Sequence, residues 1–106
     1  AGVNIAFGTD AGIFPHGDNA RQLAYAVRYG LTPMQALRSA SYDSARALGR
    51  ETEFGALEVG LAADMVAVEG DPLATIDRMR DVQAVMKDGI VQCQQASAIP
   101  CRTTSP

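Results

Sequence analysis

The chain of 106 residues has few of the side chains most used in catalysis. It contains one histidine, His16, one lysine, Lys87, and no tryptophan. A metal or catalytic centre that needs several histidines therefore cannot be completed from this sequence alone. No apolar run approaches the roughly 18 residues needed to cross a bilayer, and no charged segment leads into an apolar one at the start. We expect neither a membrane protein nor a signal peptide.

Excess positive charge is also lacking, since nine basic and twelve acidic residues give a net charge of −3. Without a basic stripe to neutralise phosphates, binding to nucleic acid is not expected. The two cysteines, Cys93 and Cys101, both lie near the C-terminus. We predict that they are free thiols in an irregular tail and that the protein is cytoplasmic, because the cytoplasm keeps thiols reduced. The hydrophobic content of 47% predicts one small globular domain.

Apolar residues alternate at the start of the chain, through Val3, Ile5 and Phe7. This alternation predicts a short buried strand within residues 1–10. A strand this apolar needs neighbours on both sides, so the pattern indicates a piece of a longer protein. Asp10 follows directly, and the carboxyl end of a buried strand is where α/β folds place their chemistry.

Three helices are predicted next, at about 19–29, from Pro33 onward, and at about 42–48. Polar residues that can accept from free N–H groups precede the first two, and glycines follow the first and third. The residues predicted to cap or end these helices are Asp18 or Asn19, Thr32, Gly30 and Gly49.

The second half of the sequence predicts strands at 64–69, 82–86 and 90–92. The pair Asp88-Gly89 stands between the last two and is a strong signal for a hairpin turn. A strand, then helices, then strands indicates an α/β piece followed by a β-rich piece.

Three groups of motifs occur in a fixed order along the chain. They are Gly8-Thr9-Asp10-Ala11-Gly12 with Pro15-His16-Gly17; Thr32-Pro33-Met34-Gln35-Ala36-Leu37; and Gly55-Ala56-Leu57-Glu58-Val59-Gly60 with Ala63-Asp64-Met65-Val66 and Gly70-Asp71-Pro72-Leu73. Over about residues 2–92 this order resembles the metal-dependent amidohydrolases, and more narrowly the branch related to imidazolonepropionase and Xaa-Pro dipeptidase.

The resemblance implies a (β/α)8 barrel that holds one or two divalent metals, expected to be zinc. The ligands in that family are a His-x-His pair, a lysine or its carbamate, two later histidines and an aspartate after strand eight. Only the aspartate has a counterpart here, Asp10. The expected fold class is α/β, with 1–49 as the last strand–helix unit of a TIM-type barrel and a helical pair. Residues 50–92 would form part of a β-sandwich, and 93–106 an irregular tail.

By the same resemblance, Asp10 binds the metal and accepts a proton from the attacking water during cleavage of a C–N bond. The other interpretation of Asp10 is a turn or helix-capping residue. His16 is expected to contact substrate at the mouth of the pocket. It could instead be a solvated loop residue, or form a weak two-ligand metal site with Asp10. For Asp18 we favour a capping role, and for Asp64 and Asp71 structural roles.

Two functions from different classes remain open at this point. The leading one is the C-terminal part of an amidohydrolase acting on a dipeptide or a cyclic amide, inactive by itself because the histidine ligands are missing. The alternative is a stand-alone, non-catalytic α/β module that binds a partner through an exposed sheet edge. The expected partners are a small-molecule substrate in the parent, the missing upstream barrel, and other copies of the chain at exposed edges.

Overall fold

The computed structural model describes residues 3–8 and 19–101. The helices α1, α2 and α3 are followed by the strands β1, β2 and β3, with one 3-10 helix after β1. Their bounds are Arg21–Arg28, Pro33–Ser39 and Tyr42–Ala47 for α1 to α3, Met65–Val68, Val82–Lys87 and Ile90–Gln94 for β1 to β3, and Ile76–Arg80 for the 3-10 helix. Within the described ranges, no helix has the length and apolar character needed to cross a membrane.

The start of α2 follows directly from its sequence. Thr32 Oγ1 accepts a hydrogen bond from the Gln35 backbone N–H at 3.1 Å, and Gln35 Oε1 accepts from the Thr32 N–H at 2.9 Å. Pro33 occupies the first helical position, where a missing N–H costs no intrahelical bond. The predicted cap at Thr32 is confirmed.

The start of α1 differs from the prediction. Its N-cap is Ala20, which offers no capping side chain, and Asn19 lies one residue too early to serve. The prediction for Asn19 is therefore wrong, and Asp18 lies outside the described residues. The end of α1 is as expected, because Gly30 has a φ of +123° and donates to the Val27 carbonyl.

The three strands form one antiparallel sheet in the order β1-β2-β3. Val85, in the central strand, pairs with Val66 on one side and with Cys93 on the other. Between β2 and β3, Asp88 and Gly89 have φ values of +50° and +79°, as a two-residue primed turn requires. The predicted hairpin is confirmed, and β3 continues two residues beyond the predicted end.

The core is formed by one residue from each of three elements. Leu23 of α1, Ala36 of α2 and Ile76 of the 3-10 helix are buried together, and Phe7 packs against them. Because Ile76 belongs to the β-rich part of the chain, the helical and β-rich parts share this core. The boundaries proposed at residues 49 and 92 remain predictions.

The strand predicted at the start of the chain is not formed by residues 3–8, the described part of that segment. The side chains of Val3 and Ile5 are exposed, and no described strand lies beside residues 3–8. This segment forms hydrogen bonds with α3 instead, since the Phe7 N–H donates to Ser44 Oγ at 2.9 Å. The alternation of apolar residues signals a strand, but a strand also needs a neighbouring strand to pair with.

The tail also differs from the prediction. Cys93 and Cys101 form a disulfide, with their Cα atoms 4.9 Å apart, so the expectation of free thiols is wrong. The separation lies in the range that a disulfide spans without backbone movement. Residues 95–101 turn back onto the sheet, which brings the two cysteines together.

Candidate functional site

The two residues predicted to carry chemistry, Asp10 and His16, lie outside the described residues. The structure describes the chain that precedes and follows them in sequence, namely residues 3–8 and the segment from residue 19 that leads into α1.

The segment that leads toward Asp10 is held on α3 by Ser44. Ser44 Oγ accepts from the Phe7 N–H and donates to the carbonyl of Ser39, so one hydroxyl joins the segment to the α2–α3 turn. Asn4 Nδ2 adds a second link, to the carbonyl of Asp43 at 3.2 Å. The backbone three residues before Asp10 is thus fixed by α3, a role for Ser44 that its sequence context does not reveal.

An open, mainly apolar cavity of about 700 Å³ lies between the helices, residues 54–57 and β1. Its lining includes Leu37, Leu48, Phe54, Met65 and Met79. The described side chains around it include no histidine, lysine or cysteine. Such a lining suits the packing of apolar groups.

The polar side chains that line this cavity form hydrogen bonds to other groups of the chain. Ser41 Oγ donates to the carbonyl of Leu37 at 2.9 Å, and Ser44 makes the two bonds described above. Asp64 accepts from the Asp88 N–H at 2.9 Å and from Lys87 Nζ at 3.1 Å. These bonds, first that from Asp88 and then that from Lys87, lower the pKa of Asp64. The structural role predicted for Asp64 is confirmed.

Two further acidic residues, Asp71 and Glu51, differ in their hydrogen bonding. Asp71 Oδ1 accepts from the N–H of Leu73 at 2.9 Å, a turn of the kind predicted for it. Glu51 Oε2 is buried and has no hydrogen-bond partner among the described residues, which its sequence context does not predict.

Close packing against α3 explains why the first residue of the third motif is a glycine. Gly55 has a φ of +105°, and a Cβ placed there would lie 2.7 Å from the Cβ of Ala45 and 3.2 Å from the carbonyl oxygen of Ser41. The loop can approach α3 this closely only without a side chain. Gly60, which closes the motif, has open space around it.

The described side chains differ from the zinc centre that the resemblance implies. In the part of the chain that the structure describes, no three His, Cys, Asp or Glu side chains come together to hold a metal ion. Both cysteines are consumed by the disulfide, and His16 is the sole histidine of the sequence. A catalytic zinc site takes about three protein ligands, mostly nitrogen or sulfur.

Comparison with known proteins defines the class. Residues 1–91 match the amidohydrolase family, and they include all three groups of motifs. The chain belongs to the amidohydrolase family.

Individual relatives agree with this assignment. The chain is 38% identical over 87 residues to ochratoxinase of Aspergillus niger, covering 80% of this chain and 18% of that protein. It is 37% identical over 67 residues to imidazolonepropionase of Sphingopyxis alaskensis, covering 60% of this chain and 17% of that protein.

Among solved structures, a Xaa-Pro dipeptidase with methionine bound in its active site is 42% identical, with a TM-score of 0.81. That likeness covers 85% of this chain and 22% of the dipeptidase. The resemblance drawn from the motifs is confirmed, and the chain spans about a fifth of the length of these relatives.

Proposed function

We propose that the chain is the C-terminal part of a metal-dependent hydrolase that cleaves a C–N bond in a dipeptide or a cyclic amide. The observation that carries this proposal is the family match over residues 1–91. It is supported by the fold likeness to a Xaa-Pro dipeptidase at 42% identity.

The proposed architecture of the whole protein is a (β/α)8 barrel with a β-sandwich beside it. Residues 1–49 would supply the last strand and the helices that follow it, 50–92 part of the sandwich, and 93–106 a tail. In this proposal residues 3–8 become a strand when barrel strands are present to pair with them. The exposure of Val3 and Ile5 supports this, because both would be covered in a barrel.

Within that protein, Asp10 would contribute its carboxylate to the metal and His16 would contact the substrate. The chain's own donor set does not complete the metal site, so we assign no catalytic step through a metal to this chain. We propose that it is inactive by itself and that the remaining ligands come from elsewhere in the parent. The cytoplasmic location stays a prediction, and the Cys93–Cys101 disulfide removes the free-thiol argument on which it rested.

The DNA immediately upstream of the codon for Ala1 tests the proposal most directly. We expect an in-frame region encoding a His-x-His pair and further histidines. The protein that this longer frame encodes should hydrolyse members of a panel of dipeptides and cyclic amides. Asp10→Asn should then lower kcat/KM by about 10²- to 10⁴-fold, the contribution typical of an acid–base group.

Asp71→Asn is the matched control, because an asparagine oxygen can still accept from the Leu73 N–H. Its kcat/KM should stay close to that of the unmodified protein. Equal activity in the Asp10→Asn and Asp71→Asn proteins would contradict the role of Asp10. No hydrolysis of any member of the panel would contradict the substrate class.

One observation favours the alternative of a partner-binding module. β1 is an edge strand of the described sheet, so one side of its backbone has no strand beside it among the described residues, as a strand that recruits another strand requires. A stop codon and a start site directly before Ala1 would favour this alternative over the hydrolase.

A further inference from the structure

The disulfide between Cys93 and Cys101 is independent of the hydrolase proposal. The family match ends at residue 91, and neither cysteine has a part in the proposed site. Cys93 lies on β3 opposite Val85 and is half-buried, whereas Cys101 is only 7% exposed. Cys101 is therefore the more buried of the two cysteines.

The chain between the two cysteines turns back through its own hydrogen bonds. The Gln94 N–H donates to the carbonyl of Ile99 at 2.9 Å. Ser97 Oγ donates to the carbonyl of Gln94, and Ala96 takes a left-handed conformation with a φ of +61°. These hydrogen bonds are local and do not involve either sulfur, so they favour a turn that directs Cys101 toward Cys93.

Gln95 fastens this turn to the sheet. Its backbone N–H donates to the carbonyl of Gln83 at 2.8 Å. Its side-chain Nε2 donates to two carbonyl oxygens, that of Val82 at 3.2 Å and that of Cys101 at 3.1 Å. One amide group thus joins the start of β2 to the second cysteine.

We propose that Cys93 and Cys101 are a site of oxidative modification, which the folded hairpin aligns and a disulfide oxidant closes. The product is a covalent cap, residues 93–101, that fixes the C-terminal segment on the β2–β3 end of the sheet. The co-reactant is a small or protein disulfide.

The chemistry is a pair of thiol–disulfide exchanges. The thiolate of the half-buried Cys93 attacks one sulfur of the oxidant, which forms a mixed disulfide and releases one thiol of the oxidant. The thiolate of Cys101 then attacks the Cys93 sulfur and releases the second thiol. One S–S bond of the oxidant is broken, one in the chain is formed, and the two protons of the cysteines end on the two released thiols.

The test is the thiol–disulfide equilibrium of the 106-residue chain in buffers of reduced and oxidised glutathione. Samples are quenched with an alkylating reagent, and the oxidised fraction is read by mass spectrometry. We expect the equilibrium constant for the Cys93–Cys101 disulfide to be at least about tenfold higher in native buffer than in concentrated guanidinium chloride, because only the fold aligns the pair. Equal constants in the two solvents would overturn the proposal. So would disulfides that form only between chains.

A pair of glutamine variants tests the alignment by Gln95. Gln95→Leu removes the donor to Val82 and Cys101, and we expect it to lower the native equilibrium constant by about tenfold. Gln92→Leu is the control, because within residues 19–101 Gln92 Nε2 donates only to the carbonyl of Ile90, on its own strand. The same constant in the Gln95→Leu and unmodified chains would overturn the role of Gln95 in aligning the pair.

Discussion

Asp64 and Lys87 form an ion pair, with Asp64 Oδ2 3.1 Å from Lys87 Nζ. The pair joins the residue before β1 to the last residue of β2, at the hairpin turn. Lys87 is the only lysine in the chain. The other carboxylate oxygen, Oδ1, accepts from the Asp88 N–H, so one side chain holds two successive residues at the start of the turn. The motif Ala63-Asp64-Met65-Val66 thus has a structural basis in this fold, because its aspartate ties β1 to the β2–β3 turn.

This relationship predicts a pH dependence of stability. Hydrogen bonds from Asp88 and Lys87 hold the pKa of Asp64 below its ordinary value of 3.8. A carboxyl group with a depressed pKa in the folded state stabilises the fold above its ordinary pKa, and that stabilisation is lost as pH falls through the folded value. Asp64→Asn should therefore lower the midpoint of thermal unfolding at pH 7, and its difference from the unmodified chain should shrink in acid. A difference that is constant from pH 7 to pH 3 would contradict this.

The capping box at α2 predicts a defined loss of stability. Thr32→Ala removes the acceptor for the Gln35 N–H and should lower the free energy of unfolding by about 1 kcal/mol. Thr75→Ala is the matched control, since Thr75 is the N-cap of the 3-10 helix but its side chain makes no capping bond. Denaturant unfolding of both variants measures the difference, and equal losses would show that the capping bond contributes nothing.

Two glycines of the third motif should respond differently to alanine. Gly55→Ala places a Cβ within 2.7 Å of Ala45 at a positive φ, and should lower the free energy of unfolding by roughly 2–4 kcal/mol. Gly60→Ala has a similar φ of +94° but open space around it, so it should cost only roughly 1 kcal/mol. A Gly60→Ala loss as large as that of Gly55→Ala would contradict the close approach to α3.

Local signals in the sequence predicted local structure well. Thr32 and Gln35 are three residues apart, and Asp88 and Gly89 are adjacent, so the interactions that form the α2 cap and the hairpin turn are encoded within a few residues. The structural role of Asp64 could be predicted from its place before a strand, but its partner Lys87 could not, because that pairing depends on the register of the sheet.

One local prediction failed, the cap at Asn19, because α1 has Ala20 as its N-cap. The other predictions that failed depend on contacts beyond neighbouring residues. The alternation at residues 3–7 signals a strand, yet strand formation requires neighbours that the described residues do not supply. The disulfide was missed because Cys93 and Cys101 meet only after β3 has ended and the chain has turned at Ala96. For Asp10 and His16, the family resemblance gave the candidate roles, and these remain predictions.

The donor set predicts weak binding of zinc. After dialysis, the purified 106-residue chain should retain less than one zinc per molecule, because Asp10 lacks the partner ligands that a tight site requires. Elemental analysis of the unmodified chain and of Asp10→Ala measures this. Stoichiometric zinc that is lost in the Asp10→Ala chain would contradict the prediction.

The exposed apolar surface predicts self-association of the isolated chain. β1 leaves one edge of the sheet without a partner in the described structure, and Met65 and Val66 on it are 40% and 52% exposed. The apolar cavity beside β1 adds further surface that the three short helices leave open.

Burial of even about 400 Å² of such surface would contribute on the order of 10 kcal/mol before the entropy of association is subtracted. We therefore expect oligomers or aggregates at micromolar concentration, and we expect them to decrease when the upstream part of the parent is co-expressed. Light scattering measures the size of the species, and calorimetry shows whether they melt cooperatively. A monodisperse monomer with a cooperative transition would contradict this prediction and would favour the partner-binding module over a part of a hydrolase, because a module that folds alone does not depend on an upstream barrel.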